Sequence, residues 1–281
     1  MNKNTSGILA VLVLSIYSFE VIADVTMGIF PRRPAAKTVK FFKPLAKKLS
    51  DEIGEPVNIS VEKNFKKFWK GVKENKYDIV HYNQYHYLLS KKMSGYQVFL
   101  VNEEFNSSKI KGALTVRTDS GINSIADLKG KTILFGGGKK AMGSYIGPTW
   151  ALQKAGLVAG TDYTVKFSKN PPSAVIGVFN KSADAAGSGN VILKVGAVKK
   201  KADVTQLKIL AESDEFIHLP WAAKSDFPAD KLQKIKDIMS NLKTTDAGIL
   251  KSAKVTNFIP ATDADFESAR KIVKEVTGEE L

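Results

Sequence analysis

Residues 124–144 read SIADLKGKTILFGGGKKAMGS, and they contain the clearest indication of the fold class. Ser124 is placed to cap a short helix, with Asp127 as its partner in a weak capping box. Residues 131–135 then predict a buried strand that runs into a glycine-rich loop, and residues 144–155 predict a helix. A strand, a glycine-rich turn and a helix in succession indicate an α/β fold.

Strands and helices also alternate on both sides of this stretch. After it we predict strands over residues 163–167, 183–186 and 207–212 and helices over residues 172–180 and 191–197. Before it we predict strands over residues 24–30, 57–61, 77–82, 96–102 and 111–117 and helices over residues 35–53, 65–74 and 85–92. Helices over residues 230–242, 246–252 and 263–275 complete the chain. Two such series predict two lobes, each a mostly parallel sheet with flanking helices.

The order of the elements predicts where the chain passes between the lobes. We expect crossings near residues 113–117 and 210–218. Lobe I would then comprise residues 24–115 and 217–281, and lobe II residues 116–216. A cleft between two such lobes brings strand ends and helix N-termini around one pocket, a setting that favours a small anionic ligand.

The first 23 residues are typical of an export signal. Lys3 precedes an apolar stretch over residues 7–17, and Val21-Ile22-Ala23 offers short side chains before a cleavage point at Asp24. An uncleaved membrane anchor is the alternative, although the apolar stretch is shorter than the ~20 residues that a spanning helix needs. We expect a periplasmic protein.

Composition narrows the classes of function. The chain contains no cysteine, which excludes disulfides, thiolate metal sites and cysteine nucleophiles. Lysine and arginine number 42 against 28 aspartates and glutamates, a net charge of +14. Because the lysines are scattered over amphipathic helices, we expect a basic surface suited to anionic ligands and no binding of nucleic acid.

The glycine-rich loop after residue 135 is the first candidate site. Its backbone N–H groups, with a helix following, would cradle an anion, and Lys139 and Lys140 would support the charge. The order of its residues differs from that of a nucleotide-binding P-loop. A flexible surface loop is the alternative.

Residues 81–87 (HYNQYHY) form the second candidate, directly after a predicted strand. They hold two of the three histidines, His81 and His86, and three tyrosines that would donate O–H groups to a ligand. The third histidine, His218, lies on the second predicted crossing. Arg32 or Arg33, after the first strand, would bind an oxyanion bidentately or simply begin a solvated helix.

The histidines also raise a metal alternative. Together with Met27 and Met142 they would offer a soft ligand set suited to copper. Their spacing matches no metal motif, and methionines at strand and loop ends are more often packing residues.

Several short motifs, taken in order, resemble the periplasmic phosphate/phosphite/phosphonate-binding proteins of ABC transporters. They are VTMGIFPRRPA at residues 25–35, YDIVHY at 77–82, IADLKGK at 125–131, GSYIGP at 143–148 and PWAA at 220–223. The likeness runs from about residue 24 to residue 276. It implies the two-lobed type II binding-protein fold, a small anion as ligand, a membrane permease as partner, no catalysis and no cofactor.

The resemblance also points to binding residues. Tyr82 matches a tyrosine of the family, Phe65 stands where an aromatic residue begins a helix, and Ala141-Met142-Gly143-Ser144 aligns with an anion-holding Ser-Thr-Ser-Gly loop. With the residues chosen for their own chemistry, the candidate ligand-binding set is Phe65, His81, Tyr82, Asn83, Lys139, Lys140, Ala141, Met142, Gly143, Ser144, Tyr145, Asn190 and His218.

Two departures from the family pattern bear on the ligand. The first three positions of the aligned tetrapeptide lack hydroxyl groups, so backbone N–H groups, Ser144 and the two lysines remain to hold an anion. Acidic residues that would bind the ammonium group of an aminophosphonate are missing around Asn190. The sequence therefore favours an anion without an amine.

We expect a monomeric solute receptor that captures a phosphonate-, phosphite- or phosphate-like anion and closes by a hinge. A receptor for copper, iron or another solute on the same fold, or a periplasmic sensor module, is the alternative. An enzyme is disfavoured because neither G-x-S-x-G nor H-E-x-x-H occurs.

Overall fold

A computed structural model describes residues 24–281. The predicted signal peptide, residues 1–23, lies outside the described residues. Within residues 24–281, no helix is both long enough and apolar enough to cross a bilayer.

The described residues form two lobes, each a mixed β-sheet with flanking helices. Their strands are β1 (Val25–Ile29), β2 (Val57–Ser60), β3 (Ile79–His81), β4 (Gln97–Glu103), β5 (Lys109–Arg117), β6 (Thr132–Phe135), β7 (Thr164–Phe167), β8 (Ala185–Gly189), β9 (Leu207–Ile217), β10 (Pro220–Ala223) and β11 (Asn257–Pro260). Their α-helices are α1 (Ala35–Ile53), α2 (Phe65–Lys73), α3 (Gln84–Ser94), α4 (Gly147–Lys154), α5 (Pro171–Phe179), α6 (Gly196–Lys199), α7 (Ala229–Ser240), α8 (Leu242–Thr245), α9 (Ala247–Ala253) and α10 (Glu267–Thr277).

The first sheet has the strand order β11-β4-β10-β3-β1-β2. Its strands β1, β2 and β3 pair in parallel, whereas β10 is inserted antiparallel between β3 and β4. The edge strand β11 also runs antiparallel to its neighbour and falls in a stretch for which the sequence predicted no element.

The second sheet has the order β7-β6-β8-β5-β9. Here β6, β7 and β8 are parallel, and the crossing strand β5 runs antiparallel to β8 and β9. The two-lobed α/β fold predicted from the sequence is confirmed. Each sheet keeps parallel strands at its centre. The first sheet contains two antiparallel strands, β10 and the edge strand β11, and the second contains one, β5.

The chain passes between the sheets twice. It leaves the first sheet after β4 and enters the second at β5, so the first crossing segment is residues 104–108, ahead of the boundary at residue 115 that the sequence predicted. It returns through the second crossing segment, residues 218–219. The backbone N–H of His218 donates to the carbonyl of Ser108 over 2.8 Å, which ties the two segments together.

Helix α10 touches both lobes, although the sequence assigned it to lobe I. The Oε2 of Glu275 accepts from Trp150 Nε1 (2.6 Å) and lies 2.8 Å from Lys154 Nζ, both on α4 of the second lobe. Just after the helix, Glu279 accepts from the hydroxyl of Tyr85 on α3 of the first lobe over 2.6 Å. Because the inner face of α10 is buried, one apolar core runs through both lobes.

Asparagine caps orient three helices around the cleft. Asn64, Asn83 and Asn170 precede α2, α3 and α5, and each side chain accepts from the backbone N–H three residues later, as N-caps do. The helical segment that leads into α4 begins after Ala141 without a side-chain cap.

Candidate functional site

The glycine-rich loop lies against α5 at the end of β6. A side chain at Gly136 would place its Cβ 2.2 Å from the Cα of Pro171, so only glycine allows this close approach. The Oγ of Ser144 donates to the Gly136 carbonyl over 2.9 Å and closes the loop on itself. The sequence prediction of a glycine-rich turn between strand and helix is therefore explained by a backbone contact.

The segment after the loop begins with a single wide turn. Residues Met142–Ile146 are π-helical and lead directly into α4. The carbonyl of Ala141 accepts from both Tyr145 N (2.8 Å) and Ile146 N (3.1 Å). Such π turns are rare and are frequently found at functional sites.

Three successive backbone donors in this turn are unused. The N–H groups of Met142, Gly143 and Ser144 donate to no acceptor among residues 24–281. A Cβ built on Gly143 would meet no atom within 4 Å, so the space beside these groups is open. Unpaired N–H groups at the start of a helix carry partial positive charge and suit an anion.

Two exposed lysines precede the turn. Neither Lys139 nor Lys140 forms an ion pair with any described residue. The Lys140 ammonium lies 5.5 Å from the centre of the Tyr85 ring in the first lobe. In contrast, Met142 and Tyr145 turn inward, and Tyr145 packs its ring 4.9 Å from that of Phe135.

Residues 81–87 on the first lobe are mostly committed to the interior. The hydroxyl of Tyr82 lies 2.7 Å from Ser90 Oγ in the core, where burial raises the pKa of the tyrosine well above 10. The ring of His81 stacks on Trp221 with centroids 4.4 Å apart, and its Nδ1 donates to the Pro220 carbonyl over 3.0 Å. Burial, aided by Arg32, holds the pKa of His81 well below its usual range.

Asn83 connects the two candidate regions. Its Oδ1 accepts from the backbone and from Nδ1 of His86, and its Nδ2 donates to the carbonyl of Lys140 over 3.2 Å. The structure thus brings Asn83 of the first lobe and the backbone of Lys140 in the second lobe together.

An aromatic rim, formed by Phe65 and His86, lies beside Asn83. The ring of Phe65 is 42% exposed and stacks on His86 at 6.0 Å, and its other neighbour is the edge of Phe30 at 6.3 Å. Burial and the nearby Lys140 lower the pKa of His86 to about 4, so this rim is uncharged at neutral pH.

Asn190 bonds to the backbone of the neighbouring strand β5. Its N–H donates to the Lys111 carbonyl (3.0 Å), and its Oδ1 accepts from the Lys111 N–H (3.3 Å). These bonds hold the end of β8 against β5, and they occupy both the main chain and the side-chain oxygen.

A charged cluster lies beside the crossing segments. The Nη2 of Arg32 is 3.3 Å from Oε1 of Glu104, and the same oxygen accepts from Asn102 Nδ2 over 3.2 Å. Burial raises the pKa of Glu104, but Arg32, followed by His218, Asn102 and Arg33, outweighs it and holds this pKa at about 2. Glu104 and Asn102 were absent from the sequence-based candidates, because only the folded sheet brings the end of β4 within reach of the Arg32 side chain that follows β1.

The ligand set proposed for a metal alternative does not converge. Met27 and Met142 are both fully buried, in different apolar clusters. Among residues 24–281 no group of three or more histidine, aspartate or glutamate side chains is arranged to hold a metal ion.

Comparison with known proteins gives one family and a set of similar folds. The family of periplasmic substrate-binding proteins of phosphonate ABC transporters matches residues 27–266. A binding-protein component of an ABC phosphonate transporter from Pseudomonas aeruginosa has a similar structure, with a TM-score of 0.75 and 16% identity over 89% of this chain and 85% of its own.

Two further structures carry bound molecules. PhnD1 from Prochlorococcus marinus, in complex with methylphosphonate, has a TM-score of 0.77 and 16% identity over 91% of this chain and 99% of its own. A protein from Xanthomonas citri bound to ATP has a TM-score of 0.73 and 14% identity over 91% of this chain and 96% of its own. At such identities these likenesses establish the fold.

Proposed function

Because the chain belongs to the periplasmic substrate-binding proteins of phosphonate ABC transporters, we propose that it captures a phosphonate-class oxyanion on the backbone of residues 142–144. The observation that carries the proposal is the run of three N–H groups, at Met142, Gly143 and Ser144, that find no acceptor in the described part of the chain and lie beside open space. Proteins of this family bind solutes and do not transform them, which agrees with the absence of catalytic motifs noted above.

The phosphonate oxygens would accept from these three N–H groups at the start of the helical segment. Lys139 and Lys140 would add positive charge at the same edge, since neither has an ionic partner among the described residues. Ala141 would line the rim of this cradle, and Ser144 would keep the loop closed through its bond to Gly136. Backbone donors would then replace the hydroxyl groups of the family's Ser-Thr-Ser-Gly loop.

The first lobe would contribute shape more than charge. Asn83 would hold the lobes together through its bond to the Lys140 carbonyl, and Phe65 with His86 would cover the organic part of the ligand. Tyr82, Tyr145 and Asn190 would support the walls from within, because their polar atoms or rings are already engaged.

The family works outside the cytoplasm, and we propose that residues 1–23 direct export and that a membrane permease of an ABC transporter receives the ligand. In PhnD1 the bound molecule is methylphosphonate. We propose the same chemical class here.

The test is calorimetric titration of the purified protein with methylphosphonate, phosphite, phosphate and sulfate at pH 7.5. We expect methylphosphonate to bind, and Gly143→Asp to weaken binding at least about 100-fold, because a carboxylate there repels the anion from its donors. Gly143→Asn is the matched control, equal in size and uncharged.

Two results would contradict the proposal. One is an absence of binding for every phosphorus oxyanion. The other is unchanged methylphosphonate affinity in Gly143→Asp with its fold intact. Because an acidic residue near a helix start stabilises the helix by about 0.3–1 kcal/mol, a loss of binding without a loss of thermal stability is the expected signature.

A further inference from the structure

Two arginines, Arg32 and Arg33, follow β1 at the end of the first sheet, and the Glu104 carboxylate pairs with the first of them. Arg32 is paired with Glu104 at 3.3 Å. Arg33 has no ion pair among residues 24–281, and its guanidinium lies 5.5 Å from the centre of the Phe41 ring. The repulsion from Arg32 and then burial lower the pKa of Arg33 to about 9, in spite of Glu104. The cluster therefore keeps an excess of positive charge.

Beside this cluster a buried donor has no acceptor. The Nδ1 of His218 accepts from the N–H of Leu219 over 2.8 Å, so the proton of the neutral ring sits on Nε2. That Nε2 is buried and has no hydrogen-bond partner among residues 24–281, and the residue is only 2% exposed. Its electrostatic neighbours are Glu104 and Arg32. A buried donor left unpaired has lost its hydration without regaining a hydrogen bond, and an acceptor on a ligand would restore one.

The cluster lies where the two crossing segments meet the first lobe. Glu104 begins one segment and His218 begins the other, and the His218 N–H bond to Ser108 links them. Arg32 follows β1, which pairs with β3, and Asn83 just after β3 reaches the loop of the second lobe. The Arg32 guanidinium also lies 5.2 Å from the centre of the Phe30 ring, and the rings of Phe65 and His86 continue from Phe30 to Asn83. An elongated ligand that starts at the loop and lies along these rings would extend toward Arg32.

We infer that the ligand is a phosphonate that carries a second acidic group, a carboxylate, which Arg32, Arg33 and the Nε2–H of His218 hold. The inference rests on the proposed function, since the phosphonate end would occupy the loop. Guanidinium groups bind carboxylates through two parallel hydrogen bonds, and a neutral histidine adds a donor without further charge. Glu104 would hold Arg32 in place, and its own charge is already satisfied by Arg32 and Asn102.

The experiment compares acids and matched alkyl compounds by calorimetry at pH 7.5. The pairs are 3-phosphonopropionate with propylphosphonate, and phosphonoacetate with ethylphosphonate. We expect at least one diacid to bind about 10-fold or more tighter than its partner, the range of a charge-assisted contact. Arg32→Gln and Arg33→Gln should each reduce that ratio, because each removes a guanidinium that would bind the carboxylate.

Arg117→Gln is the control. It removes one guanidinium from an ion pair with Asp119 (2.7 Å) at the other end of β5, so the ratio should stay as in the unmodified protein. Arg33→Gln leaves the pair of Arg32 with Glu104 intact, and it serves if Arg32→Gln does not fold.

The outcomes separate the two proposals. If the alkylphosphonates bind as tightly as the diacids, the inference that the ligand carries a second acidic group is wrong. The proposed binding of phosphonates would then still hold. A diacid preference that survives both arginine substitutions would overturn the assignment to this cluster. Binding of none of the four compounds, nor of methylphosphonate, would overturn the proposed function itself.

Discussion

The two walls of the cleft differ in how much of their hydrogen-bonding capacity they use internally. Residues 81–87 are rich in polar side chains, yet the hydroxyl of Tyr82 and Nδ1 of His81 are bonded inside the first lobe. Residues 141–144 have few polar side chains, yet three of their backbone N–H groups donate to no other residue that the structure describes. A binding wall is therefore made by the hydrogen-bond donors that the fold leaves unpaired, and the number of polar side chains in the sequence does not reveal it.

The largest expected effect is on the free energy of unfolding, and it concerns two glycines, one in the glycine-rich loop and one in the turn that follows it. Gly136→Ala should lower the free energy of unfolding by about 3 kcal/mol or more, because its Cβ would overlap the Pro171 backbone. Gly143→Ala is the matched control in the same loop and should change stability by less than about 1 kcal/mol, since nothing lies within 4 Å. Urea unfolding of both variants measures the difference. Equal losses would mean that the loop is not packed against α5 as described.

The next effect concerns the charge of the first wall. The folded pKa of His86, lowered by burial and Lys140, is about 4. The unfolded histidine, with a pKa near 6.5, takes up a proton first as pH falls, so stability declines from about pH 6.5 toward pH 4. At pH 5.0 this amounts to about 2 kcal/mol relative to pH 7.5.

Urea unfolding at the two pH values, in the unmodified protein and in His86→Gln, checks this value. The glutamine variant should lose about 2 kcal/mol less on acidification, whatever its stability at pH 7.5. Equal losses in the two proteins would show that His86 is protonated in the folded state, and the first wall would then carry charge.

The smallest expected effect tests the tyrosine that the family pattern selects. Tyr82→Phe removes a buried hydroxyl bonded to Ser90 and should cost about 1 kcal/mol of stability, with methylphosphonate affinity unchanged. Tyr96→Phe, which loses a bond to the Tyr77 carbonyl at 2.7 Å, is the control for a buried hydroxyl of the same lobe. If methylphosphonate affinity falls in Tyr82→Phe but not in Tyr96→Phe, the Tyr82 hydroxyl contacts the ligand, contrary to this prediction.

Local patterns predicted the elements well where capping and periodicity were strong. Helix α1 begins and ends at the predicted residues because Phe42, Leu45 and Leu49 repeat on one face and Gly54 takes the left-handed conformation after it. The loop at residue 136 was also predicted as the site of a turn before a helix.

Pairing between distant strands was the part that local patterns could not supply. The four-residue strand β11 ends in Pro260 and has no alternation of its own, so only its partner β4 defines it. For the same reason the contact of Glu104 with Arg32 was missed. Alternation along YDIVHY did contain one unused signal, since neighbours in a strand point to opposite faces and His81 and Tyr82 cannot both face a cleft.

The position of β10 has a consequence for how the protein is made. This strand fills the gap between β3 and β4, but it is synthesised only after the whole second sheet. Until residues 220–223 emerge, β3 and β4 have no partner between them, and the first lobe cannot complete its sheet. Long-range pairing of this kind slows folding. The sheet of the first lobe thus stays incomplete for most of the protein's synthesis, and β10, β11 and α10 complete the molecule only at the end.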